Sequence, residues 1–176
     1  MQKRAAELKL PTDSMPVQIR NREAWNDQRR QKQADFFTVG YSGRNIAEVL
    51  RALLDAGVRC LVDVRITPIS MYKPDFSKSN LTRHLTEAGM EYLHLPDLGV
   101  PKDIRGLAVG KRDRNEIWAW YDENVALDFG YRNMHRFFNL SEHPVAFMCT
   151  ELDPTSCHRH RLCLALEHNG LSGFDV

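Results

Sequence analysis

The densest group of chemically capable side chains in this 176-residue chain is the run Cys149-Thr150-Glu151-Leu152-Asp153-Pro154-Thr155-Ser156-Cys157-His158-Arg159. It holds two thiols, two carboxylates, an imidazole and a guanidinium in one short stretch. Asp153-Pro154 favours a turn, and Thr155 or Ser156 suits the cap of a following helix. Cys157, His158 and Arg159 then fall in that helix's first turn, where free N–H groups and the helix dipole favour an anion. A thiol in such a field ionises more readily. Arg159 offers a bidentate clamp for a phosphate or carboxylate. The expectation is an anion cradle beside a candidate nucleophile, Cys149, with Cys157 close by. The bland alternative is a small buried cysteine at a strand end and an ordinary polar helix start. The crowding of neighbours favours function.

Zinc is the rival reading, because it takes thiolates and imidazoles. Cys149, Cys157, His158, His160 and Cys163 are crowded together. No C-x2-C pair occurs among them, and on a helix from Cys157 only His160 and Cys163 share roughly one face. The fallback ligand set is Cys149, Cys157, His160 and Cys163; the preferred reading takes no metal and no cofactor.

The elements that must position these groups alternate. Phe36–Tyr41 reads as a short buried strand ending in the turn Ser42-Gly43. Ile46, Val49, Leu50, Leu53 and Leu54 recur at helical spacing until Gly57. Cys60–Arg65 is a second strand, apolar enough to be covered on both faces. A loop through Pro68 and Pro74 leads to a helix from about Ser77, closed by Gly89. Tyr92–Leu95 is a third strand, 96–113 a long basic loop, and 115–142 helical. Val145–Cys149 is a fourth strand and Cys157–His168 the last helix. Phe174-Asp175-Val176 reads as a fifth strand just beginning, so either the sheet ends there or the chain is cut. The pattern predicts a single three-layer α/β domain over 36–176, with a mainly parallel sheet of about five strands flanked by helices.

Ligands of open parallel sheets collect beyond the carboxyl ends of the strands. Tyr41, Ser42, Arg65, His94, Cys149 and Glu151 all sit at predicted strand exits, a convergence that a bland fold does not need. Tyr41 and Ser42 are expected to position substrate, Arg65 to bind an anion, and His94 and Glu151 to handle protons. Ser70, on a loop, is a weaker candidate. Gly40-x-x-Gly43 reads equally as a phosphate-contacting turn or a plain tight turn. Lys102, Arg105, Lys111, Arg112 and Arg114 read as a solvated face in preference to a phosphate-contacting lid. The tryptophans and phenylalanines of 115–142 read as core.

The ordered motifs Thr38–Arg44, Leu61–Arg65 with Pro68 and Ser70, Phe76-Ser77, Tyr92–Gly99 and Cys149–Arg159 together resemble the domain-of-unknown-function family four-eight-eight across about residues 36–176. The resemblance implies that Tyr41, Ser42, Arg65, Ser70, His94, Cys149, Glu151, Cys157, His158 and Arg159 form a shared site. It also implies a further short segment after the last strand. More loosely, a strand ending in Asp-Val-Arg and a later strand ending in cysteine before a helix are similar to the rhodanese pattern. The closely spaced glycine–arginine loop of rhodaneses is missing.

Composition sets the outer bounds. Apolar residues make up 43% and charged residues 27%, enough to bury a core, so a mostly disordered chain is excluded. No apolar run approaches the ~20 residues of a membrane span, and the polar start is no secretory signal. Four irregularly placed cysteines do not make a disulfide scaffold, so a cytoplasmic setting is expected. Net charge is +1, which announces no global affinity for nucleic acid. Residues 1–35 hold eight basic and five acidic residues, leaving 16 basic and 18 acidic in the remainder. They read as a mobile basic arm, a possible contact for nucleic acid but more simply a solvated tail.

The sequence thus points to an intracellular enzyme acting on an anionic small molecule, nucleotide or nucleic-acid end. Two alternatives stand beside it. Glu151 serves glycosidic-bond chemistry with structural cysteines, or the cradle belongs to a non-catalytic phosphate- or nucleic-acid-binding module.

Overall fold

The computed structural model describes residues 34–110, 114–129 and 144–176. The basic arm before residue 34, Lys111 and Arg112, and the second half of the expected 115–142 helix lie outside these residues.

Five parallel strands form one sheet in the order β3-β2-β4-β1-β5: β1 Phe36–Gly40, β2 Cys60–Asp63, β3 Glu91–His94, β4 Val145–Cys149 and β5 Gly173–Asp175. Five α-helices accompany them among the described residues: α1 Ile46–Asp55, α2 Lys78–Glu87, α3 Lys102–Gly106, α4 Asn115–Tyr121 and α5 His158–His168. This is the three-layer α/β arrangement that the alternating pattern predicts.

The layers follow from residue alternation along the strands. Phe37, Val39, Leu61, Ala146, Met148 and Phe174 pack in one apolar cluster with Val49 and Leu53 of α1 and Leu81 and Leu85 of α2. Phe36, Val62, Phe147 and Cys149 belong to the opposite cluster, with Ile117 and Tyr121 of α4 and Leu162 and Leu166 of α5. α1 starts on a capping box in which Asn45 and Glu48 satisfy each other's backbone N–H groups. α5 is buried from Arg159 through Leu166, without a solvent stripe, so its sequence carries little amphipathic signal.

β4 occupies the centre of the sheet. Its last residue, Cys149, is level with Gly40 of β1, and Met148 is level with Asp63 of β2. The exits of three adjacent strands therefore face one crevice, the usual ligand position in an open α/β sheet.

Two differences from the sequence reading matter. The expected loop over 96–113 contains a 3-10 turn, Pro96–Leu98, and the short helix α3. Neither is long enough to show periodicity, and the glycines and prolines around them read as breakers. After α4 the chain widens into a π-helical turn over Asp122–Ala126, which local sequence does not announce.

Candidate functional site

Beyond the β4 exit lies a cavity of about 620 Å³, within the roughly 300–1,000 Å³ typical of small-molecule sites. Arg65, Cys149, Thr150, Glu151 and His158 line its floor and walls; Ile117 and Trp118 of α4, with Arg105, Arg114, Ile69 and Val109, complete it.

Cys149 and Cys157 come together because the β4–α5 connection doubles back. Asp153 accepts the Thr155 N–H and hydroxyl, closing a turn into the 3-10 segment Pro154–Ser156. Cys157 then caps α5, its sulfur accepting the Arg159 N–H at 3.5 Å. The ligating atoms of Cys149, Cys157 and His158 all lie within 4.8 Å of one another. His158 Nε2–H donates to the Val64 carbonyl at 3.3 Å, while Nδ1 lies 3.9 Å from each sulfur. Cys149 donates to Glu151 Oε2 at 3.4 Å.

The two thiols are not equivalent. Cys149 is 4% exposed and lines the cavity, whereas Cys157 is 1% exposed and sits behind it. Burial pushes the Cys157 thiol up, but its hydrogen bond with Cys149 and the charges of His158 and Arg159 outweigh that and hold it well below the ordinary thiol value. Cys149 moves the other way, raised by the hydrogen bond with Cys157, by burial, and by the negative Cys157 and Glu151. His158 loses basicity to burial but regains more from Cys157 and Glu151, so its net shift is upward. The Glu151 carboxyl is raised by burial and then by Cys157. These shifts favour the thiolate on Cys157 over Cys149 and favour the charged form of His158 beside it.

Arg65 forms the next wall. Its Nε and Nη2 grip both oxygens of Asp63 at 2.8 and 2.6 Å, Nη2 also reaches the Phe76 carbonyl at 2.9 Å, and Nη1 donates to the Tyr41 hydroxyl at 3.0 Å. Tyr92 gives Asp63 a further bond of 2.8 Å. Tyr41 stacks on Phe76 with ring centroids 4.3 Å apart and accepts from Thr150 Oγ1. Burial disfavours the charge on Arg65, but Asp63 and Tyr41 more than restore it.

Several sequence-predicted residues stand behind this wall rather than in it. Tyr41 orients Arg65. His94 Nε2 lies 2.8 Å from the Arg65 carbonyl oxygen, so it fixes backbone instead of reaching the cavity. Ser42 contributes its N–H to Thr150 O, and Ser70 its N–H to Ser77 Oγ. Arg159 is the largest correction. Expected as an anion clamp, it is wholly buried, paired with Asp175 at 3.1 Å, and donates to the carbonyls of Glu151 and Leu152. Asp175 in turn accepts from Thr38. Arg159 therefore holds the Glu151 loop from beneath.

The fallback metal set is corrected too. Residues two apart on a helix point about 200° apart, so with His158 toward the sulfurs, His160 turns away. His160 Nδ1 instead meets the Cys157 carbonyl, and its ring stands edge-on to Trp118, 5.4 Å between centroids. Cys163 is buried in the core cluster. Among the described residues, the donors that a thiophilic cation would meet together are those of Cys149, Cys157 and His158.

Other residues have a part in the site that the sequence reading did not assign them. Arg105 and Arg114, read as part of a solvated face, line the cavity, as does Trp118. Arg114 reaches back to the Ser156 carbonyl and lies over the Trp118 ring. Gly40 is explained by contact: a Cβ there would come 1.9 Å from the Glu151 carbonyl oxygen. The glycine admits the Glu151 backbone rather than a phosphate. Its position directly after a buried strand is the signal that could have found this approach.

Residues 45–166 match the family described as Domain of unknown function DUF488. The chain belongs to this family. No curated protein and no solved structure matches it. The DUF488 match runs from the start of α1 nearly to the end of α5 and contains Arg65, Arg105, Arg114, Cys149, Glu151, Cys157 and His158. Tyr41, Ser42 and Asp175 of the surrounding network lie outside it.

Proposed function

We propose that this DUF488 protein is an enzyme, a hydrolase or transferase, that attacks an anionic substrate with the Cys149 sulfur. The observation that supports this most directly is the placing of Cys149 in the wall of an arginine-lined cavity, 3.4 Å from Glu151 Oε2. Three arginines, Arg65, Arg105 and Arg114, line the same space, and their positive charge suits a phosphate or carboxylate. Glu151, with its carboxyl raised toward neutrality, accepts the Cys149 proton as the sulfur attacks and returns it to the leaving group. His158 keeps its position through Val64 and compensates negative charge at the two sulfurs.

Alkylation by iodoacetamide, followed at each cysteine by mass spectrometry, tests the reading. Inorganic phosphate or a nucleoside monophosphate is expected to slow modification of Cys149, and Arg105→Ala with Arg114→Ala to remove that protection. Modification of Cys149 that is indifferent to every anion overturns the substrate class. Once a turnover assay is in hand, Cys149→Ser separates the chemistries. Abolished turnover supports the thiol nucleophile; retained turnover that Glu151→Gln abolishes would assign the cavity to glycosidic-bond chemistry, which the raised Glu151 carboxyl also suits. Anion binding without turnover would leave a binding module.

A further inference from the structure

We propose that Cys149 and Cys157 form a reversible disulfide on exposure to a hydroperoxide, the cavity-facing sulfur being oxidised first and the inward sulfur closing the bond. The inference goes beyond the proposed activity. It shares Cys149 with that reading but requires no anionic substrate.

The geometry fixes both the pair and the order. The two sulfurs lie within 4.8 Å of each other, with His158 Nδ1 3.9 Å from each. A small neutral peroxide reaches Cys149 through the cavity, while Cys157 does not line it. Cys157 therefore meets oxidised sulfur only from inside the protein. Neither remaining cysteine competes for this partner. Cys60 opens β2 level with Val145, four strand residues and so about 13 Å from Cys149. Cys163 lies six residues beyond Cys157, about 9 Å along the helix axis, too far to pair with Cys157, and it is not in the group of Cys149, Cys157 and His158 whose ligating atoms lie within 4.8 Å of one another.

The chemistry balances with hydrogen peroxide as the named oxidant. Glu151 takes the Cys149 proton along their hydrogen bond, and the Cys149 thiolate attacks one peroxide oxygen as the O–O bond breaks. Sulfur is oxidised to a sulfenic acid, and the departing hydroxide takes the proton from Glu151 to become water. The Cys157 thiolate then attacks the Cys149 sulfur, the S–S bond forms and the S–O bond breaks. The second hydroxide leaves as water with the proton of the His158 imidazolium, which becomes neutral. An external dithiol reverses the product by exchange.

Cys157 thus fills the role of a resolving cysteine and protects Cys149 from irreversible oxidation to the sulfinic acid. A substrate or other anion in the cavity would stand between Cys149 and the peroxide, so occupancy is expected to slow the first step without affecting the second.

The test treats the reduced full-length chain with equimolar hydrogen peroxide, blocks residual thiols, and maps peptides without reduction, with and without chelator. The expected product is a Cys149–Cys157 linked peptide, lighter by two hydrogens and reopened by dithiothreitol, while Cys60 and Cys163 stay alkylatable. Cys157→Ser should halt at a dimedone-trapped Cys149 sulfenic acid and pass on to the sulfinic acid. Cys149→Ser should give no linked peptide. Cys149 accumulating as sulfinic acid in the unaltered protein overturns the proposal, as does oxidation of Cys60 ahead of the pair. Linkage formed only after chelation would assign both sulfurs to a cation and overturn it as well. The unaltered chain alone decides these outcomes, so a variant that fails to fold does not shield the idea. Anion protection is read on reduced protein, which keeps failure of the proposed function distinct from failure here.

Discussion

Two arginines of this protein are buried against aspartates in the same sheet, and they do opposite work. Arg65, 5% exposed, grips Asp63 at the end of β2, yet its flank still lines the cavity. Arg159, with no exposed surface, grips Asp175 of β5 under the β1 exit and spends its remaining donors on the Glu151 and Leu152 carbonyls. One arginine is part of a wall that a ligand can touch. The other is a strut that carries the loop bearing Glu151. What separates them is not charge or residue type but the side of the β4–α5 connection on which each lies.

Removing the strut should have the largest effect. Arg159→Met leaves Asp175 and two backbone carbonyls in the interior without their partner, a loss of about 3–5 kcal/mol by the behaviour of broken buried pairs. Urea denaturation is expected to show most of the stability gone, with partial recovery in Arg159→Met/Asp175→Asn. An Arg159→Met protein as stable as the parent would place the two arginines in one class.

Arg65→Met should be milder in stability and sharper in function. Asp63 keeps the Tyr92 hydroxyl at 2.8 Å and the backbone N–H of residue 65 at 3.1 Å, so the expected loss is about 3 kcal/mol, the lower end for a broken buried pair. Protection of Cys149 by phosphate should disappear. If protection survived, Arg65 would belong with Arg159 as scaffold.

Much of this arrangement was legible in the sequence and some could not have been. The strands were readable because parallel, doubly covered strands appear as continuous apolar runs: β1 and β4 are buried throughout. Cys149, Glu151, Cys157 and His158 were readable because a single turn gathers them. The contrast between Arg65 and Arg159 was not, because it depends on long-range partners: Asp175 is 16 residues from Arg159, and Tyr41 is 24 from Arg65. Nor could sequence place His158 rather than His160 at the sulfurs, since that depends on where α5 begins. Arg105 and Arg114 are exposed and Trp118 packs on the core cluster, as read from the sequence, but that all three also line the cavity was not legible. A five-residue helix and the residue before α4 bring the two arginines there, and neither carries a period.

Gly40→Ala probes the loop from the opposite side to Arg159. The added methyl would meet the Glu151 carbonyl oxygen at 1.9 Å, backbone against backbone, so the loop must move; overpacking of this kind costs about 1–3 kcal/mol. Both the strut and the site should register it, as lower stability in urea and as altered phosphate protection of Cys149. A stable Gly40→Ala protein with unchanged protection would show that the Glu151 loop is not held in one position.

The smallest effect is electrostatic, and it separates contact from field. Cys157 is held below the ordinary thiol value by its bond to Cys149, by His158 and by the charge of Arg159. Ultraviolet thiolate absorbance equivalent to one sulfur is therefore expected to persist below pH ~8.5, where a free cysteine is mostly protonated. Cys157→Ser should remove it; His158→Gln should move its loss to higher pH. The sign for stability follows. A thiol whose folded value is lowered contributes stability above its unfolded value near 9.0 and loses it as pH falls through the folded one. A histidine whose folded value is raised contributes fully below 6.5 and loses that contribution as pH rises through the folded one. The thiol's share is gained as pH rises from its lowered folded value toward 9.0, and the histidine's share is lost between 6.5 and its raised folded value, so the stability difference between the parent and Cys157→Ser should grow as pH rises through the lowered thiol value and flatten where His158 begins to lose its share. Arg65→Met should leave the thiolate titration in place, because Arg65 acts on the cavity by touching it. Arg159→Lys, which keeps the charge but not the fork, should also leave it nearly in place while losing stability. If both substitutions shifted the titration equally, the division between wall and strut would fail at the sulfurs themselves.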